Sequence, residues 1–222
     1  EVLPSVDHDR IATVAADAIQ RLCSVGGLNS SAVPAYIADA PSTPAALREG
    51  EQQAVAKALK GLVVAIYSRF LGLRAGMRRK LSQALLATLL ANQNVPRGHA
   101  GVRLHALDGG AVASTITLVG LAAGLEVLTG ITRGFRRPLT THRHLELLWD
   151  CMVPMHAPTA MVDDRTPLLE LFHRPLCLGV VAMVESHPQC VGSVLRSLVT
   201  HFPASSTANS SKEVLLLHEL EM

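Results

Sequence analysis

Ile66-Tyr67-Ser68-Arg69-Phe70-Leu71-Gly72-Leu73-Arg74 places two aromatics, two arginines and a glycine at the end of an apolar stretch. Leading into it, Leu59, Leu62, Val63, Ile66, Tyr67 and Phe70 recur at helical spacing and predict one buried stripe. Tyr67 can lay its ring on that stripe and keep its hydroxyl available. Arg74 follows on roughly the same side, where a guanidinium can grip a carboxylate or a backbone carbonyl. Periodicity by itself asks only for a core helix ending in a surface arginine. Gly72 predicts a break, and Met77, Leu81, Leu85 and Leu89 predict another helix after it.

Moving outward, the helical pattern persists. Asp7 or Asp9 can cap a helix with the stripe Ile11, Val14, Ala15, Ala18, Ile19 and Leu22, ended by Gly26-Gly27. Residues 29–44 are rich in Ser, Pro and Ala and read as a connector, with Thr43-Pro44 starting the next helix. Asn92 to Gly110 has no sustained period and reads as an exposed insertion, and Ala111 to Thr132 reads as helix again. Thr141 is a plausible cap for the stripe Leu145, Leu148, Cys151 and Met152, which Pro154 stops. Thr166-Pro167 and Pro175 open further helical stretches, and Pro188 begins one with Val191, Val194, Leu195, Leu198 and Val199 inward. Ser210 with Glu213 forms a possible capping box for the last helix. The expectation is about eight to ten helices and no clear strand. Short loops favour antiparallel neighbours, in a bundle or in stacked helical pairs.

Composition agrees. The 222 residues are 49% hydrophobic but only 3% aromatic, so Ala, Leu and Val must do the packing, which suits closely spaced helices. A net charge of +2 is too mild to argue for a nucleic-acid partner. Cys23, Cys151, Cys177 and Cys190 are widely spaced and predict reduced, buried thiols, hence a cytoplasmic or nuclear setting. Glu1 is not an initiator methionine and no signal peptide follows, so the expectation is a fragment or processed chain. Ala111 to Thr132 carries Glu126 as its one charge and a Gly120-x-x-x-Gly124 packing motif. Its length and hydropathy also fit a membrane span, but a helix buried between neighbours costs less than Glu126 in hydrocarbon.

Four blocks, taken in order, resemble the B-prime family of regulatory subunits of protein phosphatase 2A. The first is Ile66 to Ala75 followed by Arg78-Arg79-Lys80. The second is Leu125-Glu126-Val127-Leu128, Ile131 and Gly134-Phe135-Arg136-Arg137-Pro138-Leu139. The third is Val153-Pro154-Met155-His156 with Phe172-His173 before a helix containing Val180-Val181. The fourth is Phe202-Pro203, Ser211-Lys212-Glu213-Val214 and Glu219-Leu220-Glu221. The resemblance covers residues 51–222, with an insertion at about 92–118, and touches residues 1–50 only vaguely.

The resemblance implies an all-α, HEAT-like solenoid of stacked antiparallel helix pairs. It also implies a non-catalytic subunit that joins a phosphatase scaffold and catalytic subunit. Such subunits bind partner segments of the form Leu-x-x-Ile-x-Glu in a concave groove. The matching groove positions here are Tyr67, Arg74, Glu126, Val127, Ile131, Thr140 and Arg143. Tyr67, Val127 and Ile131 would wall the pocket for the Ile anchor, and Arg74 would bond the peptide backbone or a phosphate. Glu126 would orient a neighbour or accept a peptide amide. Four positions depart from the family. Val64-Ala65 stands where the family has His-Arg, Thr140 where it has Lys, and Arg143 where it has His. The departures thin the electrostatic half of the groove, with Arg136, Arg137 or Arg143 as compensation. The alternative is a helical-repeat adaptor that has lost phosphatase binding. No cofactor, metal, nucleic acid or membrane is expected.

Other constellations read as ordinary surface. His142 and His144 diverge on a helix and cannot share an ion. His156, His173, His187, His201 and His218 read as capping or surface residues, and Asp163-Asp164 as a solvated loop pair. Arg78-Arg79-Lys80 with Arg133, Arg136 and Arg137 suggests one positive surface. No phosphate-binding Gly-rich loop with lysine, Gly-x-Ser-x-Gly elbow or His-Glu-x-x-His occurs, which argues against an enzyme.

Overall fold

Small side chains at Gly120 and Gly124 decide how the helices meet. The computed structural model describes residues 5–25, 45–93, 103–105, 111–113, 118–134, 141–162, 166–204 and 210–222. The described α-helices are α1 (Ser5–Ser24), α2 (Ala45–Arg69), α3 (Arg74–Gln93), α4 (Val119–Arg133), α5 (Thr141–Leu147), α6 (His173–Ser186), α7 (Val191–Thr200) and α8 (Ser210–Glu221). They stack as antiparallel pairs in an all-α, HEAT-like solenoid. The helix α4 is the hub and packs on α1, α2, α3 and α6. A Cβ on Gly120 would stand 1.9 Å from the Leu22 carbonyl oxygen, and one on Gly124 would stand 2.8 Å from Leu85 Cδ2. The missing side chain at Gly120 therefore lets α4 touch the backbone at the end of α1, and the one at Gly124 leaves room for Leu85 and Cys23. The Gly120 N–H donates to the Val25 carbonyl across the same junction (3.0 Å).

The core follows the predicted stripes with instructive exceptions. Met77, Leu81, Leu85 and Leu89 are all buried on α3. On α1, Ala15, Ala18, Ile19 and Leu22 are buried, whereas Val14 is exposed. On α2, Val63, Ile66 and Tyr67 are buried but Leu62 is exposed. On α7, only Val194 and Leu198 turn inward, and Leu195 and Val199 face outward. In each case the residue lies at the margin of the stripe, where no neighbouring helix covers it.

One reading needs correction. Ala111 to Ala113 is a strand, not helix, and pairs antiparallel with Arg103–His105, matching Ala113 to Arg103 and Ala111 to His105. The run is apolar enough to fit a helical period, but its first three residues pair into a short ribbon inside the insertion. The following helix begins only at Val119. Among the described residues no helix is long and apolar enough to cross a membrane. The Gly26-Gly27 stop, the 29–44 connector, Thr43-Pro44, Arg136, Arg137, Pro138, Thr140 and Asp163-Asp164 lie outside the described residues.

After α5 the helix widens into a π turn, Leu148–Met152, closed by the Val153 N–H donating to the Leu148 carbonyl (2.9 Å). That turn seats Leu148, Cys151 and Met152 in the core. Pro154 then starts a short 3₁₀ turn, Pro154–His156, where the sequence predicted a stop. Another 3₁₀ turn, Leu168–Leu171, precedes α6, and Pro188–Cys190 precedes α7.

Candidate functional site

The corner between α2 and α3 is built by arginines. Phe70 leaves helical geometry (φ −107°, ψ 87°), and Leu71–Leu73 form a 3₁₀ turn into α3. Gly72 keeps an ordinary negative φ, so the corner does not rest on glycine's left-handed freedom; among the described residues Gly134 alone has positive φ (79°). The last carbonyls of α2 have no partners within their own helix. Arg74 supplies them, with Nε donating to Tyr67 O (2.8 Å) and Nη2 to Ser68 O (3.3 Å). Its guanidinium carbon lies 5.0 Å from the centre of the Tyr67 ring, a cation–π contact. Arg78 Nη1 donates to the Tyr67 hydroxyl (3.0 Å). Arg74 thus grips backbone carbonyls, one of the two roles its spacing suggested, and they belong to its own chain.

The nominated groove residues divide into three groups. Tyr67, Val127 and Ile131 are 3%, 1% and 2% exposed and belong to one continuous hydrophobic core. They are a floor rather than open walls. Glu126, one residue before Val127, points outward and pairs with Lys60 (2.5 Å). Arg143 is half exposed and bonds Glu146 (2.9 Å), which His142 also reaches at 3.2 Å. The Arg143 hydrogen bond holds the Glu146 carboxyl below its ordinary range. Thr140 lies outside the described residues.

Two clefts carry the polar members. One of about 360 Å³ joins α3 to α5 and is lined by Arg78, Arg79, Ser82, Arg143, Glu146 and Asp150 among others. It links the arginine corner, through Arg78, to Arg143. The other, of about 510 Å³, lies between α4 and α6 and holds Glu126, Arg133 and Arg174. Of the nominated residues, Arg143 lines the first cleft, where Arg78 also stands, and Glu126 lines the second; Tyr67 and Arg74 line neither.

Sequence reasoning missed a polar cluster on α8. His156 and His173 were read as surface or capping residues, but they are 0% and 5% exposed. Both approach the Glu219 carboxylate through Nε2, at 3.1 and 3.2 Å. His156 Nδ1 lies 3.1 Å from the Val153 carbonyl. Burial would raise the Glu219 carboxyl, but the two imidazole hydrogen bonds prevail and hold it down at about 2. His201 stacks on His156, and burial followed by the His156 charge lowers its basicity. Lys212, almost fully buried, donates to Ala157 O (3.4 Å), and burial lowers its pKa. No local spacing announces this cluster. The signal was the resemblance, whose third and fourth blocks contain His156, His173, Lys212 and Glu219.

His144 is buried too, with Nδ1 2.5 Å from His187 Nε2. Burial and then His187 lower its pKa. His142 is the most exposed residue of the His142-Arg143-His144 run. Among the described residues no three His, Cys, Asp or Glu side chains gather as a metal site. The four cysteines are free and buried.

An all-α, HEAT-like solenoid with an arginine-capped corner defines a helical-repeat protein. The family profile for the protein phosphatase 2A regulatory B subunit (B56 family) matches residues 51–222. The chain belongs to that family. It is 28% identical over 163 residues to the 56 kDa regulatory subunit delta 1 isoform of Schizosaccharomyces pombe, covering 73% of this chain and 23% of the relative. The human 56 kDa regulatory subunit alpha isoform is also 28% identical over 73% of this chain and 26% of its own length. The Arabidopsis thaliana B' theta isoform is 34% identical over 102 residues, 46% of this chain and 18% of its own. The chain thus spans about a quarter of the length of the first relatives it matches.

Proposed function

We propose that the chain is a non-catalytic targeting portion of a protein phosphatase 2A regulatory subunit. In this reading it joins the scaffold and catalytic subunits and receives short partner segments of the Leu-x-x-Ile-x-Glu type, in the cytoplasm or nucleus. The observation that carries the reading is the α2–α3 corner. Arg74 stacks on Tyr67, and Arg78 holds the Tyr67 hydroxyl, within a chain of this family. Arg74 Nη1 has no partner among the described residues, while Nε and Nη2 fix the half-buried guanidinium. Arg143 can exchange the exposed Glu146 for a partner carboxylate at small cost, because surface ion pairs are weak.

The buried state of Tyr67, Val127 and Ile131 narrows the mode of binding. The partner's aliphatic anchors rest over a covered floor, and specificity comes from the guanidinium rim. Fluorescence-polarisation titration with a Leu-x-x-Ile-x-Glu peptide tests this. Arg143→Glu should weaken the complex at least about tenfold. An unchanged affinity removes Arg143 from the site. Pull-down with the phosphatase scaffold subunit tests assembly separately, and failure there with intact peptide binding supports the adaptor alternative.

A further inference from the structure

The cleft between α4 and α6 is distinct from the arginine corner and carries its own chemistry. Its volume is about 510 Å³, and Arg133, Arg174, Pro175 and Leu178 line it together with Thr129 and Gly130. Arg133 closes α4, and Arg174 is the second residue of α6. Both are exposed, and neither has a hydrogen-bond or ion-pair partner among the described residues. The one acid in the cleft, Glu126, is already engaged by Lys60. The cleft therefore holds two uncompensated guanidinium groups. Leu178, 38% exposed, stands one helical turn beyond Arg174 on the same face.

We infer that this cleft docks an extended peptide segment that carries a phosphorylated residue two positions from an aliphatic one. A phosphate bears about −1.5 to −2 charges near neutrality and matches two arginines, whereas one carboxylate leaves one of them unmet. The spacing agrees. The rise from Arg174 to Leu178 is about 6 Å along the helix, and two residues of extended chain span about 6.6 Å. The aliphatic side chain then lies on Leu178 and Pro175 while the phosphate sits between the guanidinium groups. The inference does not rest on the Leu-x-x-Ile-x-Glu reading, because it needs none of Tyr67, Arg74 or Arg143, and Glu126, the nominated residue that also lines this cleft, is held by Lys60.

The test uses the full chain and a fluorescein-labelled peptide, Gly-Ala-Leu-Ala-phosphoserine-Ala-Gly, in polarisation titrations. Binding should fall at least about tenfold for the unphosphorylated peptide. Arg133→Ala and Arg174→Ala should each weaken it about tenfold, and the double variant about a hundredfold. Arg→Lys variants should lie between, since lysine keeps the charge but loses the fork. All these positions are exposed, and melting curves matching the parent confirm intact folds. Arg143→Glu should leave this affinity unchanged, which separates the cleft from the groove. Equal binding of both peptides overturns the inference, as does an unaffected double variant. Displacement by inorganic phosphate or a single-stranded oligonucleotide as readily as by the phosphopeptide also overturns it, because the cleft is then a general anion trap.

Discussion

The α1–α4 body and the α8 end of the molecule are held by opposite means. At the first, Gly120 brings backbones into contact, and the buried side chains are mostly apolar. At the second, the inward face of α8 is Lys212, Leu216 and Glu219, so two of its three buried side chains carry ionisable groups. The first region gains stability from surface removed from water, which is indifferent to pH. The second depends on a carboxylate meeting two imidazoles inside the protein. A buried pair of that kind adds modest net stability when intact and is costly when one partner is lost. The contrast predicts that one end of this solenoid tolerates acid and the other tolerates side-chain crowding.

The largest effect should come from Glu219→Ala, which strands His156 and His173; a loss of about 4 kcal/mol is expected in denaturant titration. A loss below about 1 kcal/mol would show that α8 is held by Leu216 alone. Acid probes the same contact. The folded Glu219 carboxyl lies at about 2, below its ordinary value of 4.5. Its stabilisation is therefore complete above pH 4.5 and drains away as pH falls toward 2. Thermal melts should show this loss, up to roughly 3 kcal/mol, in the parent and not in Glu219→Gln. Next comes Gly120→Ala, where the new Cβ meets backbone; a loss of about 2–3 kcal/mol with no added pH dependence is expected. Cys23 and Cys151, pushed up to about 12 chiefly by burial, should resist a thiol reagent at pH 8 until the chain is unfolded. The smallest effect should be Lys60→Ala, about 0.5 kcal/mol or less, since that pair is solvated.

The same contrast explains what the sequence could reveal. The α3 stripe and the small-residue motif of α4 were legible because helical period and close packing leave local marks. Val14, Leu62, Leu195 and Val199 were misplaced because period finds a stripe but not how far a neighbour covers it. The ribbon of Arg103–His105 with Ala111–Ala113 was missed because three-residue strands are too short to show alternation. Tyr67 and Arg74 were found as a pair, yet their actual partners, a run of carbonyls and Arg78, follow from the turn between two helices. Lys60 and Glu126 are 66 residues apart, and nothing local joins them. The His156–Glu219–His173 cluster required long-range folding in the same way, and only the family resemblance carried its members.

The wide turn at Leu148–Met152 has a further consequence. A five-residue hydrogen-bonded loop accommodates one residue more than a regular helix does. Excising one residue there should let α5 run on at ordinary pitch, but every later side chain would then be rotated by about a quarter-turn or more. Cys151 and Met152 would leave the interior, and the Pro154 turn would start out of phase with α6. This short stretch works as a phase adjuster between successive repeats, and length changes should be far less tolerated in it than in the 92–118 insertion.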